Sequence, residues 1–529
     1  MKISFKIKAN TLTTKGGISF TLFLLLSFCA YSQNTNLPFE FYYQQRTNEK
    51  VVHKSLQPIH ESMQLELDSN VILEGKIRKS NFGKKWFDES LLCVEQEDVK
   101  ISADPLFNFS LSKYNQDFEY RYYSNVRGFR VKADIGSKIS FETRFYENQF
   151  FYPDYLLNRA KQKASSFSDI DGVAIGVGRA KFFKNDQYPS KAYDAGLANG
   201  YLSFSPLKSI NFQLGHGRHF FGNGYRSLLL SDYAPDYAYM SGQYIFAEGK
   251  IMYKHVNGWM NTLSRIPYSS TPEALFKPKA SNFNMLSFRP NKEFEFSFFE
   301  GLIIKRYDET DGVIRQNIGF FIPVIGKGLL MNDSSSSTNI IYGFNFSYQP
   351  INEIMFYNQL AIQSENRIGV QLGLKWFNFF KLQNSFLCFE FNRIASDLYS
   401  MNGINSIQSY SHLSHEIAHP LGAGFNEFLI KGLVEYNNYF IKFGGNYANV
   451  DYHPDNGWAN NVMIPTESLK LPDSKIKLMI ISSSLGYRFN KATRMELSLG
   501  FLYRQQADEN ENYLTLTWRT FLKNDYFDQ

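Results

Sequence analysis

The stretch Met495-Glu-Leu-Ser-Leu-Gly-Phe-Leu-Tyr503 carries an apolar side chain at every second position. Because successive side chains of a β-strand point to opposite faces, this stretch would have one apolar and one mostly polar face as a strand. The segments 340–348 and 513–519 show the same alternation, with aromatic residues and leucines on the apolar face. The alternation recurs from about Leu106 onward, so the fold class is predicted to be all-β.

The connections between the alternating segments fall into two sets by length. Tight turns occupy 205–209, 289–293, 349–353 and 490–494. The longest connections run over 152–197, 307–338, 396–425 and 452–475. Outer-membrane β-barrels have short periplasmic turns and long extracellular loops. The order of connections therefore predicts a transmembrane antiparallel outer-membrane β-barrel, since a soluble β-sandwich gives no reason for this sorting.

Counting the alternating segments gives about 18 strands, an even number as expected for a bacterial single-chain barrel. They begin near residues 106, 119, 138, 198, 210, 239, 249, 282, 294, 339, 354, 367, 382, 426, 439, 476, 494 and 513. With the first strand starting on the periplasmic side, every even-to-odd connection is a short turn. Nearly every long connection then lies on the outer side.

The N-terminus has the features of a secretory signal peptide. Four lysines in the first 15 residues precede the apolar run 18–28, and Ala30-Tyr-Ser32 fits the small-x-small cleavage rule. We therefore predict a signal peptide over residues 1–32. Cys29 raises the alternative of a lipoprotein, but Phe28 stands where that processing needs a small residue. After residue 32 no stretch approaches the 18 or so apolar residues of a spanning helix.

Residues 33–104 differ from the rest of the chain because they are polar and irregular, with few alternating runs. A short helix is predicted at 84–92. We interpret the whole segment either as a periplasmic segment that folds into the barrel as a partial plug, or as a flexible lead-in to the first strand. The barrel itself is predicted to occupy residues 105–529.

Composition agrees with this class and limits the partners. Aromatic residues make up 17% of the chain, with Phe 50 and Tyr 34, as expected if aromatic girdles ring the two membrane interfaces. The net charge of +6, partly carried by the signal peptide, is too small to predict a nucleic-acid partner. After residue 32 only Cys93 and Cys388 remain, which excludes a disulfide framework and leaves one bridge possible.

The segment Gly215–Asp232 is glycine-rich and unusually dense in polar and aromatic side chains. Its candidate ligand-binding residues are His216, Arg218, His219, Tyr225, Arg226 and Asp232. Aromatic faces can stack on sugar rings, and an arginine can bind a carboxylate or phosphate with two hydrogen bonds. The alternative is a loop folded into the lumen, with arginine and aspartate paired to plug the pore. No cysteine or carboxylate stands beside the two histidines at ligand spacing, so we predict no metal there.

The segment His415-Glu-Ile-Ala-His419 matches the zinc-protease pattern, which requires a helix to bring both histidines to one face. Pro420 disfavours helical geometry at the preceding residue. We therefore predict an outward loop in which His419 and Asn426 lock the chain to the barrel mouth, and we include both among the candidate ligand-binding residues. The sequence contains no catalytic constellation, so we predict neither an enzyme nor a cofactor.

The segments Arg218–Asp232 and Ala418–Phe425 resemble the capsule-assembly Wzi-like outer-membrane proteins of the Bacteroidota, a group with a gliding-motility branch. Shorter supporting pieces are Trp86-Phe87, Asp104-Pro105, Arg127-Gly128 and the stretch 147–153. The residues His415 and Glu416 depart from the pattern. The resemblance covers most of the chain after the signal peptide.

The resemblance implies an 18-stranded barrel of the outer membrane that is not an enzyme. Its partner would be a capsular polysaccharide or exopolysaccharide, besides outer-membrane lipid, and the gliding branch implies a part in surface motility. Two alternatives stay open on the residues alone. One is a diffusion channel that works through its lumen, and the other is a structural component of a secretion or motility complex.

Overall fold

The structure is a computed structural model. It describes residues 35–37, 40–46, 52–60, 80–114, 121–164, 172–182, 192–266, 275–316, 318–331, 338–363, 367–454, 457–458, 461–490, 492–520 and 523–529. All of these belong to one unit, Gln33–Gln529. The predicted signal peptide lies outside the described residues.

Within the described ranges, eighteen antiparallel strands close into a barrel. In chain order they are β1 Val99–Tyr114, β2 Arg121–Ile135, β3 Ile139–Phe151, β4 Ala192–Leu207, β5 Ile210–Gly217, β6 Tyr237–Phe246, β7 Ile251–Arg265, β8 Phe276–Phe288, β9 Phe294–Lys305, β10 Thr338–Ile351, β11 Ile354–Gln363, β12 Arg367–Phe377, β13 Ser385–Ile394, β14 Phe425–Tyr436, β15 Tyr439–His453, β16 Ser474–Asn490, β17 Met495–Gln506 and β18 Glu509–Arg519. Each strand pairs with its neighbours in the chain, so the barrel is an up-and-down meander.

The barrel closes where its last strand pairs with its first. Leu516 of β18 lies opposite Leu111 of β1, and the hydroxyls of Ser112 and Thr515 are 2.7 Å apart across the same seam. Closure pairs the backbone groups of every strand edge, which a wall in lipid requires. The predicted fold class and the count of about 18 strands are confirmed. Every predicted strand start lies inside, or within three residues of, a different strand.

The two faces of the wall differ as the alternation predicts. On β18, Leu514, Leu516 and Trp518 are exposed on the outside, while Tyr513 is buried on the inside. On β9, Phe296 is exposed between the buried Glu295 and Ser297. The outside is therefore an apolar surface, and the inside carries most of the polar side chains.

The connections lie at two edges of the barrel. Those of the short-turn edge are 136–138, 208–209, 247–250, 289–293, 352–353, 378–384, 437–438 and 491–494. The long connections of the opposite, long-loop edge are 152–191, 218–236, 306–337, 395–424 and 454–473. The long-loop edge also has shorter connections, including 364–366 and 507–508. The predicted sorting of loop lengths is thus present in the fold.

The remaining elements of the described chain are short. The α-helices are α1 Phe41–Arg46, α2 Asn81–Phe87, α3 Asp154–Ala164 and α4 Lys327–Met331. The 3-10 helices are Ala247–Gly249, Ile318–Phe321, Phe379–Lys381, Gly403–Gln408 and Thr466–Ser468. The short paired strands are Leu56–Gln57, Leu92–Gln96, Val173–Ala174, Gly178–Arg179, Lys181–Phe182, Phe220–Phe221, Tyr307–Asp308, Gly312–Val313, Ser411–His412, His415–Glu416 and Gly457–Trp458.

No helix among the described residues is long and apolar enough to cross a membrane.

The predicted helix at 84–92 is present but begins earlier. Ser80 caps α2 by accepting a hydrogen bond of 3.1 Å from the backbone N–H of Gly83, so the helix starts at Asn81 and ends at Phe87. The strand Leu92–Gln96 then forms a hairpin with β1. Because β1 begins at Val99, the predicted boundary between residues 104 and 105 falls within a strand.

The described residues between 35 and 60 lie inside the barrel. Asn36 donates to the inward-facing Gln213, and a ring nitrogen of His53 lies 2.9 Å from the hydroxyl of the inward-facing Ser287. Leu56 pairs with Phe221 of a long connection in a two-stranded sheet. The other ring nitrogen of His53 contacts the carbonyl of Gly249, which lies in a short turn. The segment around His53 therefore reaches the short-turn edge from inside the barrel.

Candidate functional site

The connection 218–236 is held inside the barrel by the wall. Five consecutive strands, β10 to β14, each direct one buried polar side chain onto it, namely Asn345, Gln359, Gln371, Glu390 and Glu427. Gln359 accepts the backbone N–H of Leu228 at 2.9 Å, and Glu390 accepts that of Tyr225 at 2.9 Å. The connection therefore fills the lumen, and the wall satisfies its backbone.

Arg226 is the centre of this interior packing. Its side chain is 0% exposed, and its guanidinium lies 3.2 Å from a carboxylate oxygen of both Glu427 and Asp528. The rings of Tyr225 and Tyr526 lie 4.9 and 5.5 Å from it. Arg226 thus binds two carboxylates of this chain, and its guanidinium is enclosed away from solvent.

Three more of the predicted residues belong to the same interior. Arg218 pairs with Asp236 at 2.8 Å, and His219 lies 2.9 Å from the hydroxyl of Tyr237. Asp232 accepts hydrogen bonds from Tyr526 and Asn524. Burial raises the pKa of Asp232 above its usual value. With Tyr225, Arg226 and His419, these side chains hold together the connections 218–236 and 395–424 and the segment 523–529, which we name the plug.

The other two predicted residues face outward. His216 is exposed on the outer face of β5, where its Nδ1 donates to the carbonyl of Ala198 at 2.8 Å. Asn426 shares the outer face of β14 with Phe428. The prediction that Asn426 locks the loop to the barrel mouth is wrong, because a strand alternates its faces and Glu427 is the residue that points inward.

The His-Glu-x-x-His match is not helical. Ser411–His412 pairs with His415–Glu416 in a two-residue hairpin. Glu416 forms an ion pair with Lys163 of α3 at 2.5 Å, so its carboxylate is committed to a structural contact. The prediction of a loop in place of a zinc-protease helix is confirmed.

Three histidines of this loop are fixed as neutral rings. Each accepts a backbone N–H on one nitrogen: Asn261 donates to His412, Gly176 to His415 and Leu421 to His419, at 3.2, 3.0 and 3.1 Å. The second nitrogen then donates to Asp236 O, Leu413 O and Glu427, respectively. Burial lowers the pKa of His412 to about 3 and holds the pKa of His415 and His419 below the usual value. Each ring therefore ties the connection 395–424 to another element as long as it stays uncharged: His412 to β7 and Asp236, His415 to Gly176, and His419 to β14.

A different set of residues lies at the long-loop edge, and we name it the rim cluster: Arg179, Arg265 and Phe276. The guanidinium groups of Arg179 and Arg265 lie 5.9 and 5.2 Å from the centre of the Phe276 ring. Arg179 is exposed, and the other two are half-buried. The cluster was not predictable from the sequence, because its members come from three separate elements and no local pattern joins them.

Within the residues that the structure describes, no group of three or more His, Cys, Asp and Glu side chains is placed to hold a metal ion. Cys93 is exposed and Cys388 is buried, and both are free thiols. The single bridge that the sequence left possible is therefore not formed.

No family model matches the chain, and no curated protein matches it. Among solved structures it is similar to Wzi of Escherichia coli, a carbohydrate-binding β-barrel involved in group 1 capsule assembly. The identity is 12%, the TM-score is 0.54, and the match covers 92% of this chain and 98% of Wzi. Pseudomonas aeruginosa OpdL matches with 7% identity and a TM-score of 0.44 over 80% of this chain and 99% of that one. A BenF-like porin of Pseudomonas fluorescens Pf-5 matches with 7% identity and a TM-score of 0.43 over 79% and 98%.

The fold class is that of the outer-membrane β-barrels. The likeness to Wzi extends over nearly the whole of both chains, and at this identity it concerns the fold.

Proposed function

We propose that this protein is a non-enzymatic barrel of the outer membrane that binds or organises a surface polysaccharide through its long-loop edge. The observation that carries the proposal is the rim cluster, where two guanidinium groups lie over one aromatic ring at the edge that would face the cell exterior. The fold similarity to a carbohydrate-binding barrel supports it.

The chemistry of the rim cluster suits an acidic saccharide. An aromatic face stacks on the C–H face of a sugar ring, and guanidinium groups bind carboxylates or phosphates. Arg179 and Arg265 both lie over the Phe276 ring, so the ring holds the two guanidinium groups together and their charges would bind the acid groups of the saccharide. One contact of this kind is weak, but a polymer repeats its sugar units and gains affinity by engaging several sites at once.

The filled interior argues against the alternative of a wide diffusion channel. Leu228, Leu229 and Leu230 are fully buried in the middle of the connection 218–236. Residues of the segment 523–529 lie against the same connection, since Tyr526 and Asp528 contact Asp232 and Arg226. A porin-like path would have to displace these contacts.

Binding of defined polymers to the purified full chain in detergent tests the proposal. Alginate and hyaluronate serve as uronic-acid polymers, and dextran serves as the neutral reference. We expect Arg179→Ala and Arg265→Ala each to weaken alginate or hyaluronate binding by roughly 2- to 30-fold, the range that 0.5–2 kcal/mol of cation–π and charge contact corresponds to. Arg315→Ala is the matched control, since Arg315 is exposed on a different connection. Equal affinity for dextran, or unchanged affinity in both rim variants, would contradict the proposal.

Two further measurements separate the proposal from its alternatives. A large, steady conductance of the wild-type protein in planar bilayers would favour the channel. A deletion strain scored for both polysaccharide retention and surface spreading separates polysaccharide anchoring from gliding. Association with motility or secretion proteins stays a prediction of the sequence resemblance, and co-purification from solubilised outer membrane tests it.

A further inference from the structure

A row of polar side chains lies on the outer face of the wall, where most strands carry apolar residues. His255, Asn284 and Glu300 are direct cross-strand partners on β7, β8 and β9. Their face is outward, because the alternate residues of the same strands contact the interior plug. The row continues through Gly242 to the exposed Phe212 on one side, and through Tyr342 to Ile362 on the other.

All three polar residues of this row are nevertheless buried. Glu300 is fully buried, and so are Asn282 and Asn284 on the outer face of β8. The cover is the segment 318–331 of the connection between β9 and β10, which we name the strap. It lies against the outside of the barrel instead of extending into solvent beyond the edge.

Hydrogen bonds fix the strap to the wall. The carboxylate of Glu300 accepts the backbone N–H of Gly326 at 2.9 Å and that of Gly328 at 2.8 Å. The side chain of Asn282 donates to the carbonyl of Phe320 at 3.4 Å. A carboxylate that accepts two backbone N–H groups is well stabilised even away from water.

The two glycines are required for this contact. Gly326 has a φ of +94°, a conformation that L side chains rarely adopt. A Cβ on Gly328 would lie 2.8 Å from the hydroxyl of Tyr342 and 2.9 Å from Cγ2 of Ile340. The sequence of the strap is therefore fitted to the outer surface of β9 and β10.

The polarity of the strap is the reverse of that of a loop in water. Ile322, Val324 and Leu329 are 51%, 48% and 73% exposed on its outer side. Its one lysine, Lys327, is 6% exposed, and its ammonium donates to the carbonyl of Phe320 within the strap at 2.8 Å. In water the lysine would face out and the aliphatic side chains would face in, whereas in lipid the observed arrangement is the favourable one.

We propose that the strap is a lipid-contacting element, and that the acyl chains of the membrane are the partner of its outer surface. It covers the polar row of His255, Asn284 and Glu300, which would otherwise face hydrocarbon at high cost. Over β7, β8 and β9 the strap, and not the strands themselves, thus forms the outer surface of the barrel. This inference goes beyond the proposed function, because it requires the barrel to lie in a membrane but no polysaccharide to bind.

Site-directed fluorescence quenching of the full chain in phosphatidylcholine vesicles tests the strap. In a Cys93→Ser background, where the thiol of Cys388 is buried, a cysteine replaces either Ile322 or Leu329 and is labelled with bimane. Phe344→Cys on the outer face of β10 is the lipid reference. Asp311→Cys, exposed on the same connection as the strap, is the water reference. The quenchers are phosphatidylcholine with a doxyl group on one acyl chain, and aqueous iodide.

We expect the labels at positions 322 and 329 to be quenched by doxyl lipid as strongly as the label at 344, and to be protected from iodide. Quenching by iodide as strong as at position 311, with none by doxyl lipid, overturns the inference. If the label at 344 is itself not quenched by doxyl lipid, the placement of the barrel in the membrane fails, and the strap proposal fails with it. Altered alginate binding without altered quenching would concern the proposed function alone.

Discussion

Nε2 of His419 lies 2.8 Å from Oε2 of Glu427, and this contact joins the connection 395–424 to the inner face of β14. Nδ1 of the same ring accepts the N–H of Leu421, so Nε2 carries the proton of the neutral ring and donates it to the carboxylate. His412 is fixed in the same way to Asn261 of β7, and His415 to Gly176 of the connection 152–191. The packing of this loop therefore depends on three uncharged rings.

Acidification is expected to loosen this loop. Burial lowers the pKa of all three rings in the closed loop. Below about pH 6.5 the rings are therefore protonated when the loop is open but stay neutral when it is closed. Stability then falls with falling pH, by up to about 1.4 kcal/mol per pH unit for each ring. For His412 the loss continues to a pKa of about 3. Hydrogen exchange at the amides of Gly176, Asn261 and Leu421 is expected to accelerate between pH 7.5 and 5.5 after correction for the intrinsic rate.

Variants identify the source of that pH dependence. His412→Gln and His419→Gln, which cannot take up a proton in this range, are each expected to flatten the pH dependence at the amide they contact. The exposed His216 is the control position, since its Nδ1 contacts the carbonyl of Ala198 on the outer face of the wall. Exchange that is independent of pH in the wild-type chain would disprove the role of the neutral rings.

Loss of Arg226 is expected to open the interior. Arg226→Met leaves the carboxylate of Glu427 buried without its cation, while Asp528 keeps its ion pair with Lys431. Removing one partner of a buried ion pair costs about 3–5 kcal/mol. We expect a lower unfolding midpoint in guanidinium and a conductance in planar bilayers that the wild type does not show. The double variant Arg226→Met/Glu427→Gln removes the unpaired charge of Glu427 and is expected to recover part of the stability. Arg315→Met, at an exposed position, serves as the control, and an identical result for the two single variants would refute the prediction.

Release of the strap is expected to expose Lys327 to trypsin. Glu300→Ala removes the acceptor of the Gly326 and Gly328 N–H groups, and each buried donor left without a partner costs about 1–3 kcal/mol. The bond after Lys327 is expected to be cleaved in detergent in this variant and to resist cleavage in the wild type. Arg315 is exposed in both and gives an internal measure of protease activity. Equal cleavage after Lys327 in the two proteins would show that Glu300 does not hold the strap.

A side chain at Gly222 is expected to displace the plug from the wall. The φ of Gly222 is +150°, and a Cβ there would lie 2.2 Å from Nε2 of Gln359. Gly222→Ala is expected to cost about 1–3 kcal/mol through this overlap, measured as a shift of the guanidinium unfolding midpoint. Gly196→Ala is the matched control, because a Cβ at Gly196 meets no heavy atom within 4 Å. A shift no larger than in the control would mean that the plug adjusts at this position without cost.

The strands were predictable because each strand of a wall with an apolar outside and a polar inside must alternate apolar and polar residues. Neighbouring residues such as Leu497 and Ser498 show this alternation directly in the sequence. The start of β1 was missed, although Val99, Ile101 and Ala103 alternate with polar residues up to Asp104. Six residues are a short run, and they stand next to a polar, irregular segment. Pairing with β2, where Asp104 binds Arg130 at 2.8 Å, makes them part of the barrel.

The candidate site was only partly predictable for a related reason. The sequence identified Gly215–Asp232 as unusual and left open whether it binds a ligand or plugs the pore. The inward partners Gln359 and Glu390, which decide its position, come from strands more than 100 residues away along the chain. The polar outer row did have a sequence signal, because Glu300 follows Phe296 and Phe298 on the apolar side of the alternation.

The seam between β1 and β18 sets the order of assembly. Ser112 and Thr515 meet across the seam but are 403 residues apart in sequence, so the ring is sealed only after almost the whole chain has been made. Until then both edge strands present unpaired backbone groups, which are prone to pair with other chains. The segments inside the barrel, such as 218–236, cannot pass through the wall once the seam has formed. We therefore expect them to take their places before the seam forms. We also expect the unsealed chain to need a chaperone that shields its edge strands on the way to the membrane.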